Sequence, residues 1–362
     1  MSRAHLRFQV DSRLATLLSQ EYSSSERALK ELVDNAWDAD AERVAIALPK
    51  PLSGDPIVIQ DDGTGMTEEE LRRHYLSIAS DRRSRRGDRT SGKNRLVKGR
   101  KGIGKFAGLM AAAVMTLETR ARGRLCRITL RLDDLSQVED IEQLNIGLQS
   151  EPCGPELHGT TITLSDLHQG LAYPDANRLR QILLQDYGRQ DDFAITIDGK
   201  RLDVDDVSGS YSEQEEELPS AGKVKLRFSI SDGKSGLRQP GITLRVDGKA
   251  VGRPGFFGLD QRDDFPSKLL RKLYGEIEAD GLRDHITAGW DAAVENSELL
   301  KEVEGYVQPI LREAYEQQYR REIQLAQARL QRAILTRLSA LPEHKRVFAD
   351  RAIKKILDKY YG

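Results

Sequence analysis

The chain has 362 residues, 38% of them hydrophobic, which allows two domains and argues against a wholly disordered polymer. Lys and Arg number 56 against 57 Asp and Glu, so net charge makes no case for or against nucleic acid and the local patches must be read instead. Two cysteines, Cys126 and Cys153, are too few for a disulfide scaffold and lack zinc spacing. With no signal-peptide core and no run near the roughly 18 apolar residues of a membrane helix, a soluble, cytoplasmic protein without membrane contact is expected.

In chain order, residues 25–39 predict a helix: Ala28, Leu29, Leu32, Val33 and Ala36 recur at helical spacing after serines able to cap it. RVAIAL (43–48) and PIVIQD (56–61) read as strands, and Thr67 with Glu70 as a capping box. Residues 79–101 have almost no apolar side chains and predict a long mobile loop. A helix of small residues is expected at IGKFAGLMAAA, then strands near 114–120, 124–132 and 160–165. A second region is expected from 171, with a helix in NRLRQILLQDYG and strands in FAITIDG, KVKLRFSI, ITLRVDG and LYGEIEAD. Its two DGK segments, 198–200 and 247–249, read as hairpin turns, and Glu213–Glu217 as an exposed acidic run. From about 291 helices dominate, with interruptions expected near Gly305 and Pro309 and again at Pro342. Ile323, Ala326, Leu330, Ile334 and Leu338 form an apolar stripe suited to intramolecular packing or to a coiled-coil-like partner.

Four segments carry chemistry. On the first helix Glu31, Asn35 and Asp38 share a face, offering an acid, an amide and an acid; alone, this is as consistent with a solvated polar face. Gln60-Asp61-Asp62-Gly63-Thr64-Gly65-Met66 follows an apolar strand. Its glycines permit a tight turn and close ligand approach, and an acid at the strand end can accept from an exocyclic amine; an ordinary turn is the bland alternative, and the full calcium-loop spacing is missing. Gly99-Arg100-Lys101-Gly102-Ile103-Gly104-Lys105 can present backbone amides and a cation to phosphate, without the order of a Walker P-loop or of a dinucleotide fingerprint. His158-Gly159-Thr160-Thr161 enters a strand.

In this order the segments closely resemble the E-x-x-x-N, D-x-G-x-G, G-x-x-G-x-G and terminal G-T boxes of the GHKL, or Bergerat-fold, ATPase superfamily. That group includes gyrase B, MutL, MORC proteins and the ninety-kilodalton heat-shock chaperones. The resemblance covers about residues 20–166 and is greatest to MORC and chaperone-like bacterial ATPases. It implies an α+β protein with a Bergerat α/β sandwich over 1–170, a lid at 79–101, a transducer-like α/β domain over 171–290 and a helical C-terminal region over 291–362. It further implies Mg²⁺ on Asn35, the adenine amino group on Asp61, an adenine pocket shaped by Gly63 and Gly65 and assisted by Thr160, and a triphosphate wrapped by Gly99, Gly102 and Gly104. Asp38, Met66, Lys101, Ile103 and Lys105 complete the implied ATP site. Glu31 stands where hydrolysing members place the acid that serves the attacking water, so ATP hydrolysis is expected rather than transfer to histidine. The stretch before residue 25 is too short for a phosphoacceptor helix pair, and His5 reads as an ordinary terminal residue. Lys268, Arg271 or Lys272 could supply a γ-phosphate contact from the second domain.

An ATP-driven switch with a transient homodimer is therefore expected; an ATP-controlled DNA clamp and a chaperone-like client binder are the alternatives. Residues 81–105 carry eleven Lys or Arg against Asp81 and Asp88, which suits a triphosphate lid and would also suit DNA, or an effector protein, as a partner.

Overall fold

The computed structural model describes residues 2–6, 24–51, 53–76, 87–99, 104–136, 145–261, 267–287, 290, 293 and 297–339. The chain forms two units, Met1–Ser208 and Gly209–Gly362.

In the first unit, helix α1 (Ser25–Asp38) starts where Ser24 Oγ accepts from Arg27 N and Glu26 occupies the electropositive first turn. Its apolar stripe, Ala28, Leu29, Leu32, Val33, Ala36 and Trp37, is buried. The helix is stopped by a Schellman motif: Asp40 N donates to Trp37 O and Ala41 N to Ala36 O, both at 3.1 Å, with Asp40 left-handed at φ 59°. Strands β1 (Ser2–Leu6), β2 (Arg43–Ala47), β3 (Ile57–Asp61), β4 (Ala112–Ala121), β5 (Arg124–Arg131), β6 (Ile146–Pro152), β7 (Gly159–Leu167), β8 (Ala194–Ile197) and β9 (Lys200–Arg201) form one sheet in the order β1-β6-β5-β4-β7-β3-β2-β8-β9. All neighbours are antiparallel except β2 and β8. The capping box at Thr67 and Glu70 forms in both directions and opens helix α2 (Glu68–Glu70), which runs into a wider π turn over Leu71–Tyr75.

One face of this sheet packs against α1, the short helix α3 (Gly108–Ala111) and helix α5 (Ala176–Tyr187), so that Leu29, Leu32, Leu109, Leu183 and Tyr187 share a core with Ile46, Ile57, Leu117 and Ile195. The burial of β2 alternates strictly, as expected for a sheet covered by helices on one side. A further short helix, α4 (Leu132–Ser136), follows β5. The Bergerat-type α/β sandwich is thus present.

Three expectations change. The small-residue helix is only a 3₁₀ turn, Gly104–Phe106, and the four-residue α3. Ala112 onward pairs with β5 and β7, so strand pairing overrides the helix propensity of Ala112 and Ala113. The boundary expected at 170 moves to 208, because α5 packs on α1 and β8 extends the first sheet beside β2. The described part of the expected mobile loop, 87–99, is folded: Arg89 bridges Leu96, while Thr90, Arg95 and Val97 are buried.

The second unit has the sheet β10 (Gly209–Leu218), β11 (Gly222–Ser231), β14 (Leu273–Glu278), β12 (Gly241–Val246) and β13 (Lys249–Gly255), in that order, with β12 and β14 parallel. A one-turn helix, α6 (Ser267–Leu270), precedes β14. The acidic run lies on the exposed edge strand β10. Both DGK segments are tight turns with Asp and Gly at positive φ: Asp198 and Gly199 join β8 to β9, and Asp247 and Gly248 join β12 to β13.

Helix α7 (Glu298–Ser339) continues through Pro309 instead of breaking there. Val303, Val307, Leu311 and Tyr315, four apart, are buried against the second sheet, while Gly305 and Pro309 face solvent. The missing Pro309 N–H falls on the wet side, where water can serve the carbonyl it leaves. The side chains of the 323–338 stripe, and Pro342, lie outside the described residues.

A methyl group at Gly305 would meet no neighbouring atom. Gly305→Ala is expected to stabilise the second unit by about 0.5–1 kcal/mol, seen as a higher denaturant midpoint at unchanged slope. An unchanged or lower midpoint would show that the helix needs glycine where it accommodates Pro309.

Candidate functional site

The site is built where the C-terminal end of α1 meets the end of β3. Asp61 closes β3, paired with Val44 and with Thr160 of β7. Its Oδ1 accepts from Gly63 N at 2.9 Å and from Thr160 N at 3.2 Å. Burial pushes this carboxyl up to about 6, against the pull of those two amides and of His158, with Asp62 adding to the rise.

The turn after it is fitted closely. Gly65 sits at φ 60°, and a Cβ there would lie 1.9 Å from Arg120 O. Gly159, at φ 117°, would place a Cβ 2.2 Å from Asp61 O. Both contacts admit only glycine. Thr64 N donates to Ala39 O at 2.9 Å, tying the turn to the end of α1. Met66 N donates to Thr119 Oγ1 at 2.8 Å, and Thr119 Oγ1 lies 3.3 Å from Thr160 Oγ1. Thr119 and His158 are site residues that the sequence reading assigned no role. His158 Nδ1 donates to Gly63 O at 2.9 Å. Thr119 looks like any strand threonine in sequence; its zero exposure on β4 is what gives it away.

On α1, Glu31 and Asn35 are half-buried and Asp38 is buried, on the shared face that the spacing predicts. The amide nitrogen of Asn35 is buried with no protein partner, which is costly unless a ligand satisfies that amide. Asp38 accepts from Lys98 N at 2.8 Å and Gly99 N at 3.0 Å, so it holds the first glycine of the phosphate loop. Gly104 opens the 3₁₀ turn, its carbonyl accepting from Ala107 N. Lys101, Gly102, Ile103 and the side chain of Lys105 lie outside the described residues. Lys268, Arg271 and Lys272 belong to the second unit: Arg271 and Lys272 lie between α6 and β14, Arg271 is exposed, and the side chain of Lys268 is not among those described.

Residues 22–160 match the family described as histidine kinase-, DNA gyrase B-, and HSP90-like ATPase. This segment belongs to the GHKL ATPase superfamily. The domain is similar to curated proteins of two kinds. A putative type II restriction enzyme, HgiDII, of Herpetosiphon aurantiacus is 43% identical over 86 residues, covering 24% of this chain and 13% of that protein. The chaperone protein HtpG of Bacillus velezensis is 27% identical over 177 residues, covering 44% of this chain and 27% of that protein. The chain thus spans well under a third of either relative. ATP binding, and ATPase-type chemistry at the level of the superfamily, follow from membership. Among the described residues no helix is long and apolar enough to cross a membrane.

The donor set fits Mg-ATP. Among the described residues no three His, Cys, Asp or Glu side chains gather to hold a metal. Mg²⁺ takes one or two protein oxygens and fills its other positions with water and phosphate. Asn35 would offer Mg²⁺ its carboxamide oxygen, whereas its unpartnered Nδ2 is a donor suited to a phosphate oxygen, and Asp38 holds the backbone at Lys98 and Gly99.

The raised Asp61 carboxyl carries a stability consequence. Its folded value lies above its unfolded value, so the native state binds the extra proton between about pH 4 and 6 and loses stability as pH rises through that window. Asp61→Asn keeps an oxygen for both amides and removes the charge. The variant's stability advantage over wild type is expected to grow from pH 4 to 6, then level off at up to roughly 3 kcal/mol. A difference that stays flat from pH 4 to 7 in thermal or denaturant unfolding would refute the assigned desolvation.

Proposed function

We propose that the protein binds ATP with Mg²⁺, hydrolyses it to ADP and phosphate, and uses the cycle as a conformational switch. The observation that carries this reading is the shared face formed by Glu31, Asn35 and Asp38 of α1, with the half-buried, backbone-bonded Asp61 carboxylate at the adjoining strand end. Asp61 Oδ2 takes the exocyclic amine of adenine, with Thr160 and Thr119 fixing the pocket beside it. Asn35 is the residue that would hold Mg²⁺, whose contribution is to neutralise phosphate charge. Glu31, one turn before Asn35, orients the attacking water and takes its proton, and the γ-phosphoryl passes to that water with ADP leaving.

ATP binding is further proposed to favour a homodimer. Similarity to a protein named as a restriction enzyme, together with the basic run at 81–105, supports a second reading in which the switch is a clamp on DNA. ATPase assays with and without duplex DNA, combined with mass photometry in each nucleotide state, separate the two. Stimulation by DNA supports the clamp, and a mass unchanged by ATP removes the dimer.

Glu31→Ala is expected to bind Mg-ATP with near-native affinity and turn over about 10²–10⁴-fold more slowly. Asn35→Ala should lose the magnesium dependence of binding, and Asp61→Asn should lose ATP binding itself, both read by calorimetry. Equal kcat in wild type and Glu31→Ala would remove Glu31 from the chemical step.

A further inference from the structure

Helix α1 ends against its own electrostatics. A helix C-terminus is negative and favours cations, yet Asp34, Asp38 and Asp40 crowd this one and its last turn carries no basic residue. Asp40, moreover, occupies the left-handed stop position that glycine or asparagine fills at least cost. Such local choices persist where the surroundings repay them.

Two of these carboxylates do the same thing at different points along one loop. Asp38 takes the consecutive amides of Lys98 and Gly99; Asp40 takes those of Gly92 at 2.8 Å and Lys93 at 3.1 Å. Arg95 sits between the two clips, with its side chain only 4% exposed. It donates from one terminal nitrogen to Ala41 O at 2.6 Å, and from Nε and the other terminal nitrogen to Asp192 Oδ2 at 3.0 and 2.7 Å. Its guanidinium lies 4.4 Å from the Trp37 ring centroid and 5.4 Å from that of Phe193. Trp37 Nε1 returns a bond to Leu96 O at 3.0 Å. Lys98 Nζ lies 3.4 Å from the Tyr187 ring centroid. All of these contacts are made between groups of the protein itself.

We propose that residues 88–99 are a ledge fixed to the end of α1 in the nucleotide-free protein, with Asp40 and Arg95 as positioning residues that set Gly99 in place for phosphate. The inference rests on the ATP-binding reading for its kinetic consequence, though not for the ledge itself. Residues 88–99 therefore do not move as a unit with nucleotide.

Asp40→Gly is the informative variant. It keeps, and eases, the left-handed helix stop while deleting both amide acceptors, so the fold of α1 is preserved and only the clip is lost. Amide hydrogen exchange on the full chain should show Gly92 and Lys93 protected in wild type without nucleotide and unprotected in Asp40→Gly, with α1 amides unchanged. Arg95→Ala should expose the whole of 88–99. In steady-state assays each variant should raise KM for ATP about ten-fold with kcat within about two-fold of wild type, and Asp40→Asn, which retains one acceptor, should fall between. Exchange at 88–99 that is fast without nucleotide and slowed only by ATP would overturn the ledge. So would an Asp40→Gly variant with native KM and native protection. If wild type binds no ATP, the nucleotide reading fails while the exchange data still decide the ledge.

Discussion

Everything in the first unit converges on the last turn of α1. Within four residues, the chain must end a helix, receive the turn after β3 through Ala39 O, hold the loop 88–99 through Asp38 and Asp40, and offer Ala41 O to a buried guanidinium. The Schellman stop makes this possible by folding the backbone back on itself, so that groups three residues apart point toward different segments. In the proposed ATP site, the bonded turn below Asn35 would hold that residue in place for the ligand. A helix frayed at its end would leave the same residues with no common geometry.

Asp61 shows the opposite balance from the rest of the core. Leu29, Leu32 and Ile57 gain by leaving water, whereas this carboxylate is destabilised by it, and two backbone amides recover only part of the loss. In the proposed reading, the remainder is a deficit that an adenine amine would offset. His158 and Thr119 act at one remove: the histidine fixes Gly63, the threonine fixes Met66 and Thr160, and neither need touch a ligand to determine where Oδ2 points. Neighbouring Asp62 has a separate task. It accepts from the amides of Glu42 and Arg43 and from the Arg43 side chain, and those bonds hold its carboxyl below the usual range despite partial burial.

The sequence was most legible where one residue pattern dictates one local structure. Helix α1, strands β2 and β3, the Thr67 capping box and the Asp-Gly turns all follow from spacing and side-chain chemistry, and the four ordered boxes led to the superfamily. It was least legible where contacts distant in sequence decide. Ala112 extends a strand because β7 lies beside it, and α5 with β8 joins the first sheet because β2 has an open edge. Pro309 stays helical because the buried stripe lies on the other side of the helix. The loop 87–99 misled for a related reason. Its scarcity of apolar residues suggested mobility, but it is held by backbone amides and by a cation packed on aromatic rings, neither of which registers as hydrophobicity.

The boundary at 208 has a functional sense. The family match ends at 160, yet Tyr187, Asp192 and Phe193, the groups that receive Lys98 and Arg95, come from the corner between α5 and β8. A domain cut at 170 would leave the Arg95 guanidinium with Ala41 O and the face of Trp37 alone, a charge with one of its five N–H donors paired. Lys98 would lose the ring against which it is desolvated to about 8 and would return to solvent, taking the backbone beside Gly99 with it. The phosphate loop is therefore supported from outside the nucleotide-binding motifs. The motif set identifies the chemistry, while the later helix and strand hold its first glycine in place.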